Sequence, residues 1–306
     1  MSTKIEYLDE TINPIQTKIK GSSGLGYHCT KISEGCKNCW AESMNNRFGN
    51  HIPFDDRKME YRLVHKELKK LSSWKKPRRI GIQYMGDLFH PDIPVELIDR
   101  VFDYMTNPMY GADHHTYLIL TKRPERMLEF NYKNFAQPQW KHIWVGVTVE
   151  NQKTADQRIP VLMQIPAAVR FVSVEPMLSE LNMNIPFNSE YNINALTGDI
   201  FCGNQSALLK VNREMLKYVI THNPINWIIC GGESGHGSRP MKPDWVRSLR
   251  DQCIEANIPF FFKQWGTYAC EDGIYGSGMK ELIKVGKKNS GHLLDGKEWH
   301  QYPVVK

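Results

Sequence analysis

Nowhere in the 306 residues does an apolar run approach the roughly eighteen residues a membrane-crossing helix needs, so no such span is expected. The segment from Met1 to Ile15 lacks the basic start and the apolar stretch of a secretion signal, which points to a soluble protein of the cytoplasm. Internal repeats, low-complexity tracts and Pro/Ser linkers are missing too, which favours a single domain over 1–306. Neither sign of charge dominates: 39 Lys plus Arg against 33 Asp plus Glu leave +6, which permits a polyanionic partner without requiring one. Cysteine is scarce and odd in number. Of the seven, Cys202, Cys230, Cys253 and Cys270 are scattered, whereas Cys29, Cys36 and Cys39 share one short segment, a pattern that suits metal binding or catalysis better than a disulfide framework.

What is present is a series of short apolar runs: Arg79 to Met85, Thr116 to Leu120, His142 to Val149, Arg170 to Val174, Trp227 to Cys230 and Ile258 to Phe262. Continuous apolar character at this length suits strands of a parallel sheet covered on both faces, and the gaps leave room for crossover helices. Met59, Leu63, Val64, Leu68 and Leu71 fall at helical spacing, Pro94 to Met105 reads as an amphipathic helix, and Pro243 opens another. The fold class expected is therefore α/β. The Asn-rich interval 179–225 is expected to be an insertion and 267–306 a C-terminal extension.

Functional groups of parallel α/β folds gather beyond the carboxyl ends of the strands. Here those positions hold Gly86 and Asp87, Lys122 and Arg123, Thr148 and Glu150, Ser173 and Glu175, Glu233, and Lys263 with Gln264. One carboxylate after a strand is commonly a helix cap or a surface residue. A polar group after each of six buried strands in turn points instead to a shared site.

The thiols of Cys29, Cys36 and Cys39 supply three ligands from one loop, with Gly35 easing the turn before the Cys-x2-Cys pair. Structural zinc would want a fourth ligand, for which His28 and His51 are nearby. An iron-sulfur cluster would instead keep one iron open for a small molecule. The spacing alone leaves both open.

Joined to that loop are the runs Met-Gly-Asp-Leu-Phe (85 to 89), Leu-Thr-Lys-Arg-Pro (120 to 124), Val-Gly-Val-Thr-Val-Glu-Asn (145 to 151), Ser-Val-Glu-Pro-Met (173 to 177), Gly-Gly-Glu-Ser-Gly (231 to 235), Phe-Phe-Phe-Lys-Gln-Trp-Gly (260 to 266) and Leu-Asp-Gly-Lys-Glu-Trp (294 to 299). Together, in order and over almost the whole chain, they resemble a phage-associated three-cysteine family that is similar to radical S-adenosylmethionine (SAM) enzymes. The resemblance implies a partial (β/α) TIM-like barrel of the radical SAM type, with an N-terminal loop in which Cys29, Cys36 and Cys39 hold a [4Fe-4S] cluster. SAM on the open iron would be cleaved to methionine and a 5′-deoxyadenosyl radical that removes a substrate hydrogen. The cysteine spacing departs from the common superfamily pattern: it is six residues then two, with Asn38 before Cys39 and Trp40 after it.

On that resemblance Gly86 and Asp87 are expected at the SAM ammonium, Thr148 and Glu150 at its ribose or ammonium, and Ser173 and Glu175 at the ribose or the substrate. Lys122 and Arg123 would hold a carboxylate or phosphate, since the arginine fork is suited to bidentate contact. Glu233, Lys263 and Gln264 would face the substrate and share in catalysis. A reductase or flavodoxin-type electron donor is implied as partner, in the cytoplasm of a bacterial host if the chain is phage-encoded.

From Arg57 to Arg79 ten basic residues face two acidic ones, with Trp74 interleaved. Such a segment can neutralise DNA phosphates, and it also reads as a solvated helix face. With the phage association it suggests a DNA or modified-nucleotide substrate: an isomerase-type rearrangement of a nucleobase substituent in thymidine hypermodification. A peptide, tRNA or small metabolite stays open. The alternative from another class is a non-catalytic nucleic-acid-binding protein whose three cysteines and a histidine hold zinc.

Overall fold

All six apolar runs form strands of one sheet in the computed structural model, which describes residues 3, 5–18, 25–134, 140–186, 191–202, 223–270 and 282–305. The chain divides into two compact units, Met1–Gly146 and Val147–Lys306. The division falls inside a strand, so no linker composition marks it.

The first unit runs β1 (Glu10–Ile12), β2 (Ile15–Lys18), β3 (Leu25–Gly26), α1 (Trp40–Phe48), β4 (Glu60–Leu63), α2 (His65–Ser73), β5 (Arg79–Ile82), α3 (Val95–Thr106), β6 (Thr116–Thr121), α4 (Pro124–Asn134) and the start of β7 (Ile143–Thr148). The second holds α5 (Gln152–Met163), β8 (Val169–Val174), β9 (Asn184–Pro186), β10 (Tyr191–Asn194), β11 (Ile200–Cys202), β12 (Trp227–Gly231), α6 (Pro243–Glu255), β13 (Phe260–Gln264), β14 (Tyr268–Cys270), β15 (Leu282–Lys284) and α7 (Lys287–Ser290). The sheet is parallel and seven-stranded, in the order β1-β5-β6-β7-β8-β12-β13. Parallel strands alternating with helices are the coarse form of the (β/α) organisation expected.

Every residue of β7, β8, β12 and β13 is buried, as a sheet covered on both faces requires. The helices cover it with apolar stripes. On α3 the buried residues are Ile98, Val101, Phe102 and Met105, spaced one helical turn apart, and each such side chain contributes about 1.5–3 kcal/mol of burial. Helix α6 opens on Pro243 at its first position and buries Val246, Leu249 and Cys253, while Ile254 is exposed. Cys230 and Cys253 are fully buried and behave as small apolar residues, and Trp144, Trp227, Trp265 and Phe260 to Phe262 lie in the core.

The helical run expected from Met59 to Leu71 begins later than its spacing suggests. Glu60–Leu63 is the strand β4, paired antiparallel with β2, and the helix starts at His65. The amide of Val64 donates to the Pro14 carbonyl at 2.7 Å, which holds the chain extended up to the turn. Strand β1, parallel to β5, also escaped the sequence pattern because it is three residues long and flanked by polar side chains. In the interval 179–225 the described part contains a three-stranded antiparallel sheet, β11-β10-β9; residues 203–222 lie outside the described residues. Of the 267–306 stretch, 271–281 lie outside them, and the remainder is tied to β13: Phe262 N donates to Trp299 O at 2.7 Å and Trp265 Nε1 to Leu293 O at 2.9 Å.

Candidate functional site

In the first unit Cys29 lies in a segment without regular secondary structure, Cys36 closes a short 3-10 turn (Glu34–Cys36) and Cys39 caps α1. The residues that follow β5 and β6 converge on this loop. Arg123 Nη1 stands 3.7 Å from Cys29 Sγ, and Lys122 Nζ stands 3.6 Å from Cys36 Sγ and 3.4 Å from Ser33 Oγ. Gly86, after β5, passes close to the same loop: a Cβ there would lie 3.3 Å from the His28 carbonyl oxygen.

Asp87 ties the two strand ends together. Its Oδ1 accepts from Thr121 Oγ1 (2.7 Å) and Phe89 N (3.0 Å), and its Oδ2 accepts from Arg123 Nη1 (2.8 Å) and Lys122 N (3.1 Å). Burial alone would raise its pKa, but the Arg123 guanidinium and the other donors outweigh it and hold the carboxyl below the usual range. Four donors saturate the carboxylate, which clamps the turn after β5 to the turn after β6.

The thiols differ in character. Burial pushes Cys29 up to about 12 with the Asp87 charge adding to it, and burial likewise raises Cys39. At Cys36 the effect of burial is overcome by the Lys122 ammonium and by hydrogen bonds from the turn, so its thiol is held below the ordinary value. Behind the loop, His28, Tyr61, His90 and Thr30 form a polar layer that spacing did not reveal. Burial, and then the Arg123 charge, bring His90 down to about 4, so it is neutral near pH 7.

Among the described residues no three His, Cys, Asp or Glu side chains stand close enough to hold one metal ion. His28 points its Nε2 toward Asp55, 3.8 Å away, and His51 Nδ1 lies against the Asn46 carbonyl. Cluster thiolates bind separate irons and need not converge on one point. Three sulfurs from one loop, two of them beside cations that offset thiolate charge, fit that donor set.

A family of proteins of unknown function, DUF5131, matches residues 2–303. The chain belongs to that family. No curated protein and no solved structure matches it. Among the described residues no helix is long and apolar enough to cross a membrane.

In the second unit the strand-end residues form three clusters. Glu150 is fully buried against Arg158, whose Nη1 donates to its Oε2 (3.1 Å) and to the Thr148 carbonyl (2.7 Å). Asn151 and Thr154 close a capping box at the start of α5, and Ser173 is buried at the end of β8, where its carbonyl accepts from Val149 N. Glu175 receives Lys263 Nζ on both oxygens (2.7 and 2.9 Å), with Gln264 Nε2 3.4 Å away. Glu233 is gripped by Arg239 through its backbone N, Nε and Nη2 at 2.8, 2.8 and 2.6 Å. Arg158 and Arg239 were missed in the sequence, where each reads as an ordinary polar residue of a helix or loop.

The basic segment is largely paired. Arg57, Lys58, Arg62, Lys70, Arg78 and Arg79 each face a carboxylate within 4 Å, while Lys66, Lys69, Lys75 and Lys76 are exposed.

Proposed function

We propose that the chain is a radical SAM enzyme, in which Cys29, Cys36 and Cys39 hold a [4Fe-4S] cluster at the carboxyl end of β5 and β6. The observation that carries this reading is the approach of Lys122 and Arg123, from the turn after β6, to the sulfurs of Cys36 and Cys29. It puts the three-cysteine loop where parallel α/β folds keep their chemistry and gives two of its thiolates a cation each. The cluster with SAM would supply a 5′-deoxyadenosyl radical that removes a substrate hydrogen. The chain's own residues do the rest: Asp87 fixes the turn after β5, leaving its carbonyls for the SAM ammonium, and Arg123 and Lys122 offset the charge at the sulfurs. The Glu175–Lys263 pair, with Gln264 beside it, can exchange its mutual contact for both ends of a zwitterion, as an amino acid group would present.

The substrate proposed is a nucleobase substituent in DNA, rearranged as in phage thymidine hypermodification, with a reductase or flavodoxin-type protein as electron donor. The exposed lysines of the segment 66–76 support a polyanion contact, and a base in duplex would have to be flipped out.

Anaerobic reconstitution with iron and sulfide, followed by dithionite and SAM, tests the enzyme. About four irons per chain and 5′-deoxyadenosine lost in Cys36→Ala/Cys39→Ala are expected. One tightly held zinc with no SAM cleavage would replace this reading with the nucleic-acid-binding one.

A further inference from the structure

Arg123 does not reach Cys29 on its own. Its Nη1 is shared between Asp87 Oδ2 and the Cys29 sulfur, while Nη2 donates to the Thr30 hydroxyl (2.7 Å) and lies 3.2 Å from the Thr30 carbonyl. The Thr30 hydroxyl is held from its other side by His90, whose Nε2 stands 3.2 Å from Oγ1. The tautomer of His90 is fixed locally: Asp92 N–H donates to Nδ1 at 3.2 Å, so Nδ1 is the acceptor and Nε2 carries the hydrogen that Thr30 receives. Tyr61 OH stands 3.2 Å from the same Nδ1 and 3.4 Å from His28 Nδ1. Two donors thus occupy the Thr30 oxygen, from a histidine that is 1% exposed and an arginine whose side chain is 11% exposed.

We infer that Thr30 and His90 are positioning residues: through two hydrogen bonds on one hydroxyl they aim Arg123 at the Cys29 sulfur and so set the reduction potential of the cluster held there. The inference rests on the cluster reading above. Its physical basis is that reduction adds negative charge to the sulfurs, and a donor or cation beside a ligating sulfur stabilises the reduced form. Without the Thr30 hydroxyl, Arg123 keeps Asp87 and the longer contact of Nη2 with the Thr30 carbonyl, but loses the 2.7 Å hydrogen bond that helps turn Nη1 toward Cys29. The reduced form then becomes harder to reach.

The test is a redox titration of the anaerobically reconstituted protein, followed by absorbance and electron paramagnetic resonance, with iron counted in every sample. Thr30→Val and His90→Phe are expected to keep about four irons per chain and to shift the midpoint potential in the negative direction. Thr30→Ser, which restores the hydroxyl, is expected to return to the wild-type value. Potentials equal to wild type in both Thr30→Val and His90→Phe, at full iron content, overturn the inference, and a shift in Thr30→Val alone removes His90 from it. If Thr30→Val loads too little iron, the comparison of His90→Phe with wild type decides. A wild type that takes up no iron fails differently: it removes the cluster reading, and this inference with it.

Discussion

Replacing Asp87 by asparagine strikes the joint between the turns after β5 and β6. An asparagine can present its oxygen to one pair of donors, but its NH2 then faces the other pair. With the oxygen toward Thr121 and Phe89, the amide hydrogens meet Lys122 N–H and the Arg123 guanidinium. Two hydrogen bonds are lost to repulsion, both charge-assisted because the acceptor is a carboxylate, and Arg123 keeps its charge at 11% side-chain exposure without a carboxylate. Hydrogen bonds to charged groups contribute about 1.5–3 kcal/mol each, and breaking one side of a buried pair costs about 3–5 kcal/mol. A loss of about 3–4 kcal/mol is therefore expected for the metal-free protein, read as a lower urea midpoint at unchanged slope.

The same geometry predicts how the loss combines with a second change. Arg123→Met alone strands the Asp87 carboxylate, whereas Asp87→Asn/Arg123→Met removes both charges. The double variant should lose less than the sum of the singles by about 1.5 kcal/mol or more. Because the folded carboxyl is held below 3.8, wild type keeps this contribution above that pH and loses it as pH falls through the folded value. A cost below about 1 kcal/mol for Asp87→Asn, or strictly additive singles, would refute the clamp.

Three further outcomes are expected. His90, held near 4 against an ordinary 6.5, excludes a proton that the unfolded chain binds, so stability falls by roughly 3 kcal/mol as pH drops from 6.5 to 4; denaturation at several pH values should show a shallower slope in His90→Phe, and an unchanged slope would count against a buried neutral imidazole. Gly232→Ala places a Cβ against the Trp265 carbonyl and 2.9 Å from Gly266 N, both backbone, and should cost about 1–3 kcal/mol or more in a thermal melt, whereas Gly86→Ala, 3.3 Å from the His28 carbonyl, should cost less. If the exposed lysines contact DNA, replacing Lys66, Lys69, Lys75 and Lys76 by glutamine should flatten the dependence of log K on log salt by up to about three; an unchanged slope in an anisotropy titration would remove this face from the interface.

The six main strands were legible because burial on both faces leaves a continuous apolar run, a signal that survives without any knowledge of neighbours. The small β2-β3-β4 sheet was not, because β4 alternates exposed and half-buried residues beside a genuine helix, and its apolar positions were absorbed into the helical count. Likewise the strand-end rule located Asp87, Glu150, Glu175 and Glu233, but not what holds them. Asp87 finds Arg123 across 36 positions and Glu175 finds Lys263 across 88, separations at which sequence pattern carries no information on pairing.

The partner decides what a strand-end carboxylate can do. Asp87, Glu150 and Glu233 are each met by an arginine, and in all three the guanidinium or its neighbours also bind backbone: Lys122 N at Asp87, the Thr148 carbonyl at Arg158, the Arg239 amide at Glu233. An arginine–carboxylate pair in which either partner also bonds the adjacent backbone fixes the loop, and releasing it would strand the buried carboxylate out of water. Lysine makes a different contact. Its ammonium is a point charge on a flexible stem, and at Glu175 it stands on a carboxylate whose side chain is 23% exposed against 10% for its own, so a ligand that offers its own carboxylate to Lys263 leaves Glu175 within reach of water. By this criterion the arginine-held carboxylates fix their own turns, while on the proposed function Lys122 beside Cys36 and Lys263 on Glu175 are the cations that would change partners on ligand binding.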